Sequence, residues 1–458
     1  MKSMRKTILQ CGALALSLLA VNVMAAMSPE EANKLGTSLT PLGGEKAGNA
    51  DGSIPAWTGG LPKNAGAVDS KGFLADPFAN EKPLFTITAA TVDQYKDKLS
   101  DGQIAMFKRY PETYKIPVYP THRTVAVPAD INESAKRSAL NVTPINDGNG
   151  LANFTGNRYY AFPIPKNGVE VIWNHVTRYH GGNLRRTITQ ATPQSNGDFT
   201  VIRFKDEVAV PSLLGDLKPG SDENVLSYFK QEVTAPARLA GNVLLVHETL
   251  DQVQEPRKAW IYNAGQRRVR RAPQVAYDGV GTSSDGLRTT DNFDMFSGAP
   301  DRYDWKLIGK KEMYIPYNSY RLDSPKLKYT DVIKAGHINQ DLTRYELHRV
   351  WEVVATVKPN ERHVYAKRHM YIDEDSWQVA LADHYDGRGQ LWRVAEGHAQ
   401  FYYDHQVPAY TVEALYDLIA GRYIALGMKN EEKRSFEFGV VAKSGDYTPA
   451  ALRSTGVR

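Results

Sequence analysis

Beyond residue 150, apolar and polar residues alternate with a period of two, the signature of half-buried strands. Segments 159–162, 170–179, 185–190, 199–210, 243–253, 257–262 and 267–276 each read as a strand. So do 303–314, 345–357, 363–373, 378–385, 391–400 and 409–417, with short turns between them. The series predicts a large antiparallel sheet that curls toward a barrel or half-barrel. Segments 223–231 and 331–337 interrupt it and are expected to be helical inserts.

Earlier in the chain the pattern is shorter and mixed. Ser28 and Pro29 read as the cap and first residue of a helix. Residues 42–61 are dense in Gly, Pro, Asn and Asp and predict ordered coil. Val92, Tyr95, Leu99, Ile104 and Phe107 roughly follow helical spacing over 91–110, and Pro111 stops that helix. Residues 118–127 read as a strand and 130–139 as a polar helix, closed by Pro144 and a turn at 146–150. The expected division is an N-terminal helix and loop region, 26–150, packing on a β domain, 151–430. A polar, loosely packed tail, 431–458, follows.

Two hairpins stand out. In the first, Lys258-Ala-Trp-Ile-Tyr-Asn precedes a turn and a strand carrying Arg267, Arg268, Arg270 and Arg271. The second is double: a strand to Ile372, the Asp373-Glu-Asp-Ser turn, a strand to Tyr385, then the Asp386-Gly-Arg-Gly turn. Asp373, Glu374 and Asp375 lack the glycine and distal glutamate of a calcium loop, so the turn is the preferred reading.

Composition supports strands: 25 tyrosines and 7 tryptophans suit a pleated surface, and 42% of residues are hydrophobic. Residues 1–25 read as a cleaved export leader, with Lys2, Arg5 and Lys6, an apolar run 8–23, and a small-x-small site before Ala26. Gln10, Ser17 and Asn22 break that run, which argues against a membrane anchor. Cys11, the only cysteine, leaves with the leader, so the core and not disulfides must hold the exported chain. Removing the leader's three positives lowers the formal net charge from +5 to about +2, so nucleic acid is not an expected partner. No later segment reaches transmembrane length. The expected location is the periplasm.

Candidate chemistry is sparse. His363 and His369 are too far apart along one strand to share a metal, and no HExxH motif occurs. The G-x-S-x-G elbow and a mature cysteine nucleophile are both missing. No catalytic residue, metal or cofactor is assigned. The aromatic and arginine-rich strands could line a cavity for an apolar ligand with arginines at its mouth. From composition alone the preferred reading is that they fill an ordinary sheet core beside a solvated strand.

Trp260-x-Tyr262 with Arg267 to Arg271, the motif Thr290-Asp-Asn-Phe-Asp-Met-Phe, and Tyr365-Ala-Lys-Arg-His-Met-Tyr371 through Trp377 to Trp392 resemble the outer-membrane lipoprotein-sorting (LolA/LolB-like) superfamily. Over nearly its whole exported length the chain resembles DUF1329, a family of exported Gram-negative proteins. Residues 39–49 and Ile54-Pro-Ala-Trp-Thr-Gly-Gly60 look like that family's opening. The resemblance implies a mainly β fold with helices (α+β), an unclosed antiparallel barrel wrapped over helices, with an interior that accepts acyl chains. It implies carriage of a lipid or other hydrophobic molecule and not catalysis. An outer-membrane barrel or RND-type exporter is the implied partner.

On this reading Trp260, Tyr262, Tyr365, Tyr371, Trp377 and Trp392 are candidate ligand-binding residues. Arg267, Arg268, Arg270 and Arg271 form a rim facing solvent or a partner. A ligand-free adaptor of an envelope complex and an enzyme acting on an envelope polymer are the alternatives. Which face of the arginine hairpin looks inward is open from sequence.

Overall fold

The computed structural model describes residues 27–456 apart from Asn157, Pro219, Asp222, Glu223 and Gln274, so the expected leader lies outside the described residues. The strands are β1 (Phe85–Ile87), β2 (Ile116–Val118), β3 (Thr143–Ile145), β4 (Gly150–Ala152), β5 (Leu184–Ala191), β6 (Val201–Ala209), β7 (Val225–Ala235), β8 (Val243–Thr249) and β9 (Lys258–Asn263). They continue as β10 (Arg268–Arg271), β11 (Tyr303–Pro316), β12 (Tyr345–Val357), β13 (Lys367–Asp373), β14 (Val379–Tyr385), β15 (Leu391–Tyr402), β16 (Val407–Asp417), β17 (Arg422–Met428) and β18 (Glu437–Phe438). The helices used below are α1 (Pro29–Ala32), α2 (Asp101–Arg109), α3 (Ala129–Asn141), α4 (Gly168–Val176), α5 (Tyr329–Val332) and α6 (Ala451–Gly456).

Sixteen strands join one open sheet in the order β1-β2-β12-β13-β14-β15-β16-β17-β5-β6-β7-β8-β9-β10, with β11 on β12 and β18 on β5. Pairing is antiparallel except where Tyr345 of β12 meets Val118 of β2, which makes the sheet mixed. The sheet is strongly curled at one end. Cα atoms of β11 come within 8 Å of β14 and β15, whereas a flat sheet would hold β11 and β14 about 14 Å apart.

Both faces are covered through the middle of the sheet. On one, Ile131 and Ala135 of α3 and Val171 and Ile172 of α4 pack with Val353, Met370, Ala395, Leu415 and Ile424. On the other, Met106 and Phe107 of α2 pack with Val394, Ala414, Tyr416 and Tyr423. Burial on two sides explains why β14 is buried at every position and does not alternate.

Local rules account for several element ends. Ser28 caps α1 as expected, with Pro29 at its first position, and Glu31 completes a capping box. The single helix expected over 91–110 is instead two short 3-10 turns and α2, because Leu99 is extended and Ser100 caps α2 with Gln103.

Other expectations are corrected. The strand read at 170–179 is helix α4: Asn167 accepts from the Glu170 N–H as its cap, and Glu170 to His175 are all buried. Its β-branched residues serve all-round burial, not alternation. Where a helix is expected at 223–231, the described residues from Val225 onward form strand β7, paired on both edges with β6 and β8. Residues 159–162 are buried coil, with Tyr160 at φ 51°. Of 118–127 only the first residue belongs to a strand, and the insert at 331–337 keeps one helical turn, α5. The tail is seated and not loose. Strand β18 pairs with β5, while Tyr447 and Leu452 pack on Tyr228, Val243, Leu245 and Tyr262.

Candidate functional site

Pleat geometry places residues that pair across adjacent strands on one face. Two rows follow from the register of β5 to β10. One runs Leu184, Val208, Phe229, Val246, Ala259; the other runs Arg186, Asp206, Gln231, Leu244, Ile261, Arg270. The first row is wholly apolar. The second carries a polar chain in which Arg186 and Gln231 both donate to Asp206, at 3.0 Å each.

Above these rows lies a cavity with about 190 Å³ of room for water-molecule centres. Leu184, Val208, Phe229, Leu244 and Val246 form its floor. Val275, Val280, Phe293 and Phe296, from the segment between β10 and β11, form the opposite wall. Val176 of α4 and the following Arg178 and His180 close one side. An apolar hollow with a few placed polar groups is the usual form of a small-molecule site.

The wall is held by the motif Thr290-Asp-Asn-Phe-Asp-Met-Phe296. Asp291 accepts from Arg368 at 2.7 Å and pairs with His363 at 3.0 Å. Asn292 contacts the His384 ring at 2.9 Å. Asp294 takes Arg178 in a close ion pair and His180 at 3.2 Å. The Met295 N–H donates to Glu413 at 2.7 Å, and His175 contacts the carbonyls of Asp294 and Phe296. Asp294 and Met295 both have positive φ, 58° and 61°, so these side-chain contacts hold a backbone that non-glycine residues disfavour.

Electrostatics sort these groups. Burial opposes ionisation of Asp291 and Asp294, yet the Arg368 and Arg178 guanidiniums hold both well below the usual carboxylate range. Burial, then the neighbouring Arg178, pushes the His175 ring down to about 3, so it is neutral. Burial, with repulsion from Asp294, pushes Glu413 up from the ordinary 4.5 to about 7.

That last shift has a sign. A carboxyl raised in the folded chain keeps its proton while the unfolded one loses it. Its contribution to stability therefore falls as pH climbs from 4.5 through about 7, by roughly 1 kcal/mol per pH unit. Glu413→Gln should flatten this part of the profile, read by urea unfolding between about pH 5 and about pH 8. Equal slopes in both proteins would exclude Glu413 as its source.

The six aromatic residues expected to bind ligand lie elsewhere; none lines the cavity. Trp260 and Tyr262 alternate with Ala259 and Ile261, so they face away from it, under Tyr447 and Leu452. This settles which face of the hairpin looks inward. Tyr365 and Trp392 are neighbours, 5.6 Å between ring centroids, tied to Arg393. Tyr371 packs with Met313, Val350 and Leu381, and Trp377 fills the core beneath α4. Arg267 occupies the turn at φ 51°, and Arg268, Arg270 and Arg271 are exposed on β10, the last strand of the sheet. Arg271 lies over the Trp260 ring at 5.2 Å. Charged residues on a terminal strand discourage edge-to-edge pairing.

The acidic turn is a turn. Asp373 accepts from Ser376, and Asp375 receives Arg123 through both oxygens, at 2.8 and 2.7 Å. Arg123 also donates to the Glu45 carbonyl, which ties the N-terminal coil to β13 and β14. His348, Asp373 and Asp375 offer donor atoms within 4.8 Å of one another. Arg123 supplies the cation there. Sequence reasoning missed the residues that line the cavity because they come from four strands, a helix end and a distant wall. Two signals were present: charged Arg186 and Asp206 inside strand patterns, and the density of polar side chains in residues 290–294.

Among solved structures, similarity extends to an outer membrane lipoprotein-sorting protein domain from Vibrio parahaemolyticus, 13% identical with a TM-score of 0.43, covering 62% of this chain and 98% of that one. A DUF1329 family protein from Desulfovibrio piger is 13% identical with a TM-score of 0.41, covering 60% of this chain and 92% of that one. An uncharacterized protein of Pseudomonas aeruginosa is 70% identical over 454 residues, 99% of both chains. The model of the family described as "Protein of unknown function (DUF1329)" matches residues 86–453, and the chain belongs to that family.

Proposed function

We propose that this protein is a periplasmic carrier that holds a lipid or other hydrophobic molecule in the cavity over β5 to β8. The observation that carries the reading is the apolar lining of that cavity, Leu184, Val208, Phe229, Leu244, Val246, Val275 and Phe293, in which the Phe229 and Phe293 rings meet at 5.2 Å between centroids. Burying an apolar chain there contributes about 0.8 kcal/mol per methylene, enough for firm binding without special chemistry. The polar groups around the cavity favour binding over catalysis: Asp291, Asp294 and Asp206 are each committed to an arginine. Export follows from the leader pattern at residues 1–25.

Protein purified from its host should release an apolar molecule on solvent extraction, seen as a mass difference by native mass spectrometry. It should also bind a fluorescent fatty acid, and Val246→Trp, which fills the floor, should weaken that binding about tenfold or more. Repeated absence of an extractable molecule together with no probe binding would sink the proposal. The adaptor reading has one observation in its favour, the exposed arginine strand β10 at the sheet's edge, a place where an outer-membrane barrel or RND-type exporter could dock. It predicts a cavity that binds no probe.

A further inference from the structure

Arginines on the cavity lining are mostly neutralised. Arg178 pairs with Asp294, Arg186 with Asp206 at 3.0 Å, and Arg257 with Glu248 at 2.7 Å. Arg288 is different. It lines the same cavity and is 5% exposed, but no carboxylate among the described residues lies within ion-pair distance of it. The one hydrogen bond that the structure gives its guanidinium among the described residues runs from Nη1 to the neighbouring Thr289 carbonyl at 3.3 Å, and Nε has no partner. Glu413, Asp206 and Asp291 act on it only through space. A buried guanidinium without a direct counter-charge is costly to keep.

The site is nevertheless shaped for it. Arg288 and Gly281 face each other across a tight hairpin closed by the Gly281 N–H donating to the Arg288 carbonyl at 2.9 Å. A β-carbon on Gly281 would stand 2.7 Å from Cζ and 2.9 Å from Nη2 of Arg288. The missing side chain is what lets the guanidinium lie there. On its other flank the Phe293 ring centroid is 5.5 Å from Cζ. Both neighbours are uncharged, so neither supplies the counter-charge that the guanidinium lacks. A guanidinium fork matches the two oxygens of a carboxylate or phosphate.

We propose that the molecule held in this cavity is an amphiphile ended by one acidic oxyanion, a carboxylate or phosphate, bound by Arg288 with its chain against Leu184, Phe229, Leu244 and Val246. The inference rests on the carrier reading and adds the head group to it. Arg288 is the specificity residue, and Gly281 positions it.

The test uses the full exported chain, stripped of lipid, with three probes in calorimetry: dodecanoic acid, dodecyl phosphate and dodecanol. At least one acid should bind about tenfold or more tighter than the alcohol. The better of the two identifies the head group as carboxylate or phosphate. Arg288→Met should erase that preference while leaving dodecanol affinity within about threefold. Equal affinity for acids and alcohol in the unaltered protein would overturn the proposal even if the variant does not fold. So would a preference that survives Arg288→Met. If none of the three probes binds, the carrier reading itself fails, a result distinct from bound but unselective probes.

Discussion

A Trp377→Ala variant should lose about 4 kcal/mol of stability, the middle of the range for a buried aromatic truncated to a methyl group. Trp377 is 0% exposed, stacked on Trp351 with ring centroids 6.0 Å apart and planes 12° from parallel. Its indole N–H donates to the Leu42 carbonyl at 2.8 Å, so truncation opens a cavity and orphans a buried acceptor. Its carbonyl meets His175 of α4 at 3.1 Å. One residue thus joins the β13–β14 turn, the N-terminal coil and α4. Trp377→Phe should lose roughly half as much, because one ring remains while the N–H contact and part of the indole volume go. Urea unfolding measures both; a loss below about 1 kcal/mol for the alanine variant would show that the surroundings collapse to fill the gap.

Trp377 also shows what was legible in the chain and what was not. Its position after an acidic turn between two strands was readable, since turn residues and alternation are local. Its partners were not: Leu42 and α4 are brought to it by the fold alone. The same holds for the arginine hairpin. The strand boundaries of β9 and β10 follow from turn chemistry, but whether Trp260 or Ile261 lies on the face that carries the cavity depends on the covering element. That element is the C-terminal segment around Tyr447 and Leu452, whose polar composition concealed two apolar anchors.

Where strand and helix were exchanged, tertiary burial overrode local pattern. Helix α4 is rich in β-branched residues and Trp because it is enclosed on nearly every side, so no polar face marks its period. Strand β7 mixes Lys230, Gln231 and Glu232 with apolar residues, and pairing with β6 and β8 decides its state. The cavity residue Arg288 falls in a turn-rich stretch with no period at all. Nothing in its neighbourhood shows that the charge is buried. The segment at residues 290–296 stands out more in the sequence, because five of its residues spend side chain or backbone groups on distant elements.

Arg178→Met should cost about 3–5 kcal/mol at neutral pH, since it leaves the Asp294 carboxylate without its cation beside the cavity wall. Arg178 is buried and also donates to the His175 carbonyl at 2.7 Å, so packing is lost with the charge. Asp294→Asn should cost less, because the amide can still accept from Arg178. The double variant should be more stable than the sum of the two losses predicts, by about 2 kcal/mol, as expected for residues in direct contact. The pH profile separates charge from packing. In the unaltered protein Asp294 is held well below its ordinary 3.8, so its contribution is fully present above that value and is lost only as acid reaches its depressed range. Without Arg178, burial of Asp294 is opposed only by the His180 and His175 rings, so the carboxyl is held down less and protonation relieves part of the strain. The deficit of Arg178→Met should therefore shrink as pH is lowered from neutral toward about 4. A deficit that stays constant over that range would assign the loss to packing and remove the ion pair as the support of the cavity wall.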